Sequence, residues 1–230
     1  MTKIAIVTGA SGNLGQSIVR KFIAEGYIVI GTAGPNDSAP MDFPGDRFEK
    51  QVVDLTDAAV SQKFTEAIIS KYGSIDVVVL TVGGFAMGTI AETSSAEIMK
   101  QYKLNFETTY NIARPAFVQM MKQNNGRIFL IGSRPGLDAM HGKGMVAYGL
   151  AKSLVVRLAE LMNIEAKGKN VVTSLVVPST IDTPQNRKAM PNAHFSDWIK
   201  PEDIAQIIYF HSSLKADSLR ETVIKVYNNA

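Results

Sequence analysis

The sequence predicts an α/β protein: a doubly wound parallel sheet of about seven strands with helices on both faces. Three observations carry this. Short apolar, β-branched runs alternate with helical patterns from one end of the chain to the other. The first such run opens into a glycine-rich turn and then a helix, the order in which a turn can serve a dinucleotide. The 230 residues are enough for one larger domain with a substantial core, and no repeat or low-complexity tract marks a second one.

Taken in order, Ile4–Val7 reads as a buried parallel strand. The turn from Thr8 to Gly15 follows, then a helix with Ile18, Val19, Phe22 and Ile23 on one face and Gly26 at its end. Tyr27–Ile30 is the second strand, and residues 35–46 form a loop. Phe48–Val53 is the third strand, closing on Asp54 and Leu55; Thr56 or Asp57 caps a helix to about Lys71. The fourth strand is Ile75–Leu80. A long helical pattern starts at Ser94 or Ser95 and runs to about Lys122, with Pro115 as the expected kink. Gly126–Ile131 is the fifth strand and residues 134–144 are a loop. A helix from Val146 to Ala166 follows, then a sixth strand Val171–Val177, an irregular stretch 179–200 and a helix opened by Pro201. Glu221–Val226 is the last strand. In such sheets ligands bind beyond the C-terminal strand ends. The unusual residues gather there: Gly9 to Gly15, Ala33, Asp54, Gly83, Ser133 and Pro178 to Thr183.

Composition narrows the chemistry. There are no cysteines, so disulfides, thiolate metal sites and cysteine nucleophiles are excluded. No spaced ligand cluster suggests a metal. A net charge of +3 with scattered Lys and Arg argues against a nucleic-acid partner. The apolar runs are too short to span a bilayer and the N-terminus does not read as a signal peptide, so a cytoplasmic setting is expected.

Tyr148 and Lys152 stand four apart on a predicted helix, and therefore on one face. A free phenol has a pKa of about 10. A neighbouring ammonium favours the phenolate and brings that value toward the range useful for proton transfer. An ordinary amphipathic helix carries such pairs too, so company decides. Ser133 follows the fifth strand and offers a second hydroxyl. A hydrolase would need that serine in a G-x-S-x-G elbow, and Gly132-Ser133-Arg134-Pro135-Gly136 is not one.

Thr8-Gly9…Gly15, Asp54-Leu55, Asn105, Ser133, Tyr148…Lys152 and Pro178…Thr183 occur in the order of the short-chain dehydrogenase/reductase family, and the chain resembles that family over nearly its whole length. The resemblance implies a Rossmann-like fold, a nicotinamide cofactor, NADP(H) or NAD(H), and hydride transfer to or from a carbonyl or alcohol small molecule. It implies four catalytic residues: Tyr148 as proton donor or acceptor, Ser133 steadying the substrate oxygen, Lys152 binding the ribose and tuning the tyrosine, and Asn105 holding a water that links Lys152 to solvent. It assigns the cofactor to Gly9, Ser11, Gly12, Asn13, Leu14, Gly15, Ala33, Asp54, Leu55, Gly83, Tyr148, Lys152, Pro178, Ile181 and Thr183. Family members usually form dimers or tetramers through the helices at 95–122 and 146–166, and the second of these carries surplus apolar residues at Leu150, Leu154 and Leu161.

The departures are specific. Leu80-Thr81-Val82-Gly83 keeps only the glycine of the family's NNAG-like segment. Asn13 stands where many members have glycine. Ala33 and Gly34 stand where an acid or an arginine usually reads the ribose, so the strand end offers no charge. Without a carboxylate to repel a 2′-phosphate, and with Thr32 or Ser38 as donors, the expectation leans to NADP(H). The segment Asp182–Pro191, with Phe195, Ser196 and Trp198 behind it, is similar to dihydropteridine reductase; this makes a quinonoid pterin the alternative substrate. A non-catalytic NAD(P)-binding regulator is the rival of a different class. Arg134 and Arg187 are candidates to meet a polar substrate, and Met190, Phe195 and Trp198 either wall the site or hold the 179–200 segment down as a lid.

Overall fold

A computed structural model describes residues 2–220 and 222–229. A seven-stranded sheet runs in the order β3-β2-β1-β4-β5-β6-β7. Its strands are β1 (Ile4–Thr8), β2 (Ile28–Ala33), β3 (Phe48–Val52), β4 (Val77–Leu80), β5 (Asn125–Ile131), β6 (Asn170–Pro178) and β7 (Val223–Val226). Every neighbouring pair is parallel. This is the Rossmann-like, doubly wound α/β fold that the alternation predicts.

Alternation of side chains splits the core in two. Ile4 and Ile6 of β1 join one cluster, with residues of α2 (Ala58–Tyr72), α4 (Thr108–Gln123) and α6 (Val146–Glu165). Ala5 and Val7 join the other, with residues of α1 (Asn13–Ala24) and α8 (Pro201–Ser212). A parallel strand covered on both faces reads as a near-continuous apolar run, and all five residues of β1 are buried, four of them apolar.

Local chemistry fixes the helix ends. The Asp57 carboxylate accepts from the N–H groups of Ala59 (2.8 Å) and Val60 (3.0 Å), and Gly73 ends α2 in the left-handed region at φ 77°. Ser94 and Glu97 form a capping box at the start of α3 (Ser95–Tyr102).

Four expectations shift. β2 continues to Ala33 instead of stopping at Ile30. Gly31 does not break it: a Cβ there would lie 2.6 Å from the Phe48 ring and 2.7 Å from the Ala10 methyl, so glycine is what lets turn and strand approach. The long helix from Ser95 is interrupted not at Pro115 but at Lys103–Glu107, a widened π-helical turn, and α4 runs on through Pro115. Residues 134–144 contain a short helix, α5 (Arg134–Leu137), and a 3₁₀ turn at Ala139–His141. Residues 179–200 contain α7 (Pro184–Ala189) and a 3₁₀ turn at Phe195–Asp197. Glu221, the expected start of the last strand, lies outside the described residues.

Candidate active site

The C-terminal strand ends form one edge of the sheet, and the glycine turn sits on it. Gly9 has φ +61°, and a Cβ there would lie 2.9 Å from the Thr81 hydroxyl. A Cβ on Gly15 would come within 2.1 Å of the Gly9 carbonyl oxygen, so only glycine lets α1 start this close to the turn. Gly12 donates to Gly9 O at 3.0 Å and caps α1 without a side-chain bond. The first-turn N–H groups of α1, with Asn13 and Leu14, are thus left for an anion. Thr81 fastens β4 to this turn: its hydroxyl donates to Thr8 O at 2.7 Å, and its N–H donates to the Thr8 hydroxyl at 3.1 Å. A glycine cradle at a bare helix N-terminus fits a pyrophosphate.

The strand end beside the cradle differs from expectation. Ala33 is buried in the core, and the Thr32 hydroxyl is enclosed, with that residue 1% exposed, so neither side chain reaches a ligand. A carboxylate nonetheless arrives. The chain turns back after Gly34, and Ser11 donates its hydroxyl to Asp37. The bond to Ser11, and next one from Ala39 N–H, hold the Asp37 carboxyl below its ordinary value. Periodicity does not reveal Asp37, because its place is set by a loop. Of the other predicted cofactor residues here, Asp54 is exposed and accepts from Thr56 N–H at 3.0 Å. Leu55 buries its side chain in the core and gives its carbonyl to Asn111 Nδ2 at 2.9 Å, so its remaining offer to a ligand is backbone.

The second half of the edge gathers the predicted catalytic residues. Ser133, 7% exposed, stands two residues past the end of β5 and caps α5, its Oγ accepting from Gly136 N–H at 3.3 Å. Tyr148 lies in the first turn of α6, near enough to Ser133 for the two hydroxyls to influence each other. Burial raises the phenol above its ordinary value, with Ser133 pulling the other way. One turn on, Lys152 is 5% exposed and donates to Ile131 O at 2.8 Å. Its Nζ lies 6.0 Å from the Tyr148 ring centroid. Burial lowers the ammonium to about 8. The expected lowering of the tyrosine by the lysine is therefore not what this arrangement shows. Both groups are desolvated, and desolvation disfavours the charged form of each.

Asn105 sits in the π-helical turn, fully buried. It donates to Gly84 O at 3.0 Å and Gln101 Oε1 at 2.8 Å, and accepts from Gly84 N–H at 3.1 Å. A Cβ on Gly83 would lie 2.7 Å from Asn105 Oδ1 and 3.4 Å from Lys152 Nζ. Retaining glycine at this one place of the NNAG-like segment is thus a steric need: the chain passes between the two side chains.

A family description, "short chain dehydrogenase", matches residues 3–194. The chain belongs to the short-chain dehydrogenase/reductase family. It is an oxidoreductase of that family, whose members use NAD(P). Among its relatives is the 3-oxoacyl-[acyl-carrier-protein] reductase of Thermotoga maritima, 25% identical, the match covering 97% of this chain and 96% of that one. The acetoacetyl-CoA reductase of an Acinetobacter strain is 29% identical over 79% of this chain and 75% of its own. In fold, ElxO, solved with NADP bound, superposes with a TM-score of 0.87 at 22% identity, covering 98% of this chain and 97% of that one.

Most of the remaining predicted site residues of this dehydrogenase/reductase lie at the end of β6 and on the segment after it. Pro178 ends that strand, buried. Ile181 bridges to Ile199, and Thr183 caps α7, accepting from Asn186 N–H at 3.1 Å. Arg187 is held by Asp182 in a two-point ion pair (2.6 and 2.8 Å) and lies 4.7 Å over the Phe195 ring. Arg134 lies 4.3 Å over the Tyr227 ring. Each of these two arginines thus already has a contact. Trp198, 7% exposed, packs on Phe195 at 4.9 Å and holds the segment down. Met190 stays exposed. Asn13 Nδ2 reaches across to Gln185 Oε1 at 2.9 Å and joins the segment to the glycine turn.

Proposed function

We propose that the chain is an NAD(P)(H)-dependent oxidoreductase acting on a carbonyl or alcohol small molecule, with Tyr148 as general acid and base. The observation that carries this reading is that Ser133 and Tyr148 lie together one helical turn from buried Lys152, on the same sheet edge as the glycine cradle. When bound, the nicotinamide supplies the hydride.

The residues of the chain do the rest. Gly9, Gly12, Gly15 and the start of α1 hold the pyrophosphate. Ser133 and Tyr148 present hydroxyls to the substrate oxygen, where negative charge develops during reduction; fixed donors of this kind are often the largest catalytic term. Tyr148 gives its proton to that oxygen, and takes it back in the oxidative direction. Lys152 places a cation beside the phenolate that results and binds the nicotinamide ribose. Asn105 fixes the 83–84 backbone beside Lys152 and holds the water that returns the proton. Residues 1–230 form one domain in this reading, and 179–200 acts as its lid. Exposed Leu150, Leu154, Leu161 and Ile164 on α6, with Val118 on α4, are the contact face of a homodimer or homotetramer.

A turnover screen with NADH and NADPH tests the assignment. The panel holds ketones, aldehydes, 3-oxoacyl thioesters (named for two relatives) and quinonoid pterin. Oxidation of the reduced cofactor by carbonyl compounds is the expected result. Turnover of the pterin alone moves the assignment to the dihydropteridine reductase type. Tight dinucleotide binding without turnover of any compound moves it to a regulator.

A further inference from the structure

We propose that Asp37 reads the adenosine ribose in this enzyme and makes it prefer NAD(H) to NADP(H). The proposal rests on the cofactor reading above and reverses the leaning to NADP(H) drawn from the strand end alone. After β2 the loop folds back, Asp37 N–H donating to Gly34 O at 3.0 Å. One carboxylate oxygen accepts from Ala39 N–H at 3.0 Å and the other from the Ser11 hydroxyl. Ser11 belongs to the turn between Gly9 and Gly12, next to the pyrophosphate cradle. The carboxylate thus stands where the end of β2 meets the turn, although in sequence it lies beyond the strand end.

In dinucleotide folds, an acid about 20 residues past the glycines takes the ribose 2′-hydroxyl. Asp37 has that separation from Gly15. A neutral hydroxyl gives an ionised carboxylate a charge-assisted bond. A 2′-phosphate at the same place brings like charge against it. Neither 8–15 nor 31–38 contains a lysine or arginine to receive the phosphate. Lys50 of β3 also acts on the carboxylate, as the smallest of the influences on it.

Calorimetric titration of NADH and NADPH into the wild type, Asp37→Asn and Asp37→Ser tests this. The wild type is expected to bind NADH at least about tenfold more tightly, the scale of one screened like-charge contact. In both variants the gap closes, chiefly through tighter NADPH binding. In the wild type it narrows as salt rises, because repulsion between exposed charges is screened. NADPH binding as tight as NADH in the wild type, or an unchanged ratio in both variants, overturns the proposal and leaves the cofactor reading intact. Failure of both dinucleotides to bind the wild type overturns both. Unchanged melting temperatures confirm that the variants fold; if they do not, the salt dependence of the wild-type ratio decides.

Discussion

Lys152 Nζ donates to the carbonyl oxygen of Ile131 at 2.8 Å, and no carboxylate is among the causes that set its pKa. Burial alone takes that pKa from 10.5 to about 8. Between those values the unfolded chain binds a proton that the folded chain does not, so stability rises with pH across that window. Below it both states are protonated and the full cost of burying the cation applies. Lys152→Met is therefore expected to stabilise the fold at pH 7, by about 2 kcal/mol once the lost bond to Ile131 is set against the relieved desolvation. The gain shrinks as pH passes from 8 toward 10.5. Urea denaturation at pH 7 and pH 10 measures it; an equal gain at both would show that the lysine is not buried as a cation.

Tyr148→Phe removes the hydroxyl and keeps the ring that packs edge-on against Phe85 at 5.2 Å. Turnover of the best carbonyl substrate is expected to fall by about 10²–10⁴-fold, the usual worth of general acid help. Dinucleotide affinity should stay within a few-fold. Stopped-flow transfer rates together with binding titration separate the two, and unchanged turnover removes Tyr148 from the chemistry.

Gly15→Ala sets a methyl against the Gly9 carbonyl at 2.1 Å, a distance no backbone tolerates. α1 must shift away from the turn. A stability loss of about 1–3 kcal/mol is expected from this overpacking, with dinucleotide affinity falling in parallel. Gly26, whose Cβ position meets nothing within 4 Å, has a φ of +85° and so tests backbone strain without crowding. Gly26→Ala should destabilise without altering dinucleotide affinity. Denaturation curves and titrations on both variants provide the comparison.

Leu154 and Leu161 are 41% and 50% exposed on α6. The double variant Leu154→Glu, Leu161→Glu is expected to sediment as a monomer where the parent sediments as a dimer or tetramer. A parent that is itself monomeric at micromolar concentration contradicts the assembly.

Much of this was legible because the signals are local and repeated. The apolar runs give β1, β4, β5 and β6 to within a residue or two; Pro201 marks the first turn of α8, and of Thr56 and Asp57 it is Asp57 that caps α2. The order of Ser133, Tyr148 and Lys152 placed them on one sheet edge, because a strand end and the helix after it must meet there. What escaped depends on contacts distant in sequence. Gly31 looked like a strand end until the Phe48 ring and the Ala10 methyl were seen to fill the space of its missing side chain. Pro115 drew attention as a breaker, while the actual irregularity lies at Lys103–Glu107, where no residue type announces a π turn. Asp37 escaped because a four-residue excursion past Ala33 has no period, and only the fold returns it to Ser11.

The strand order has a consequence for how the chain assembles as it is made. β3, β2, β1 and β4 all come from residues 4–80, and they form one contiguous half of the sheet. β1 finds both its neighbours within that stretch, Ile4 beside Ile28 and Ala5 beside Val77. Each later strand then docks on the edge the previous one has just completed: β5 on β4, β6 on β5, β7 on β6. On the ribosome the nucleotide half can close first, and growth of the sheet runs in one direction only. Ser133, Tyr148 and Lys152 all lie later in the chain, so they emerge after the glycine turn and the four strands around it.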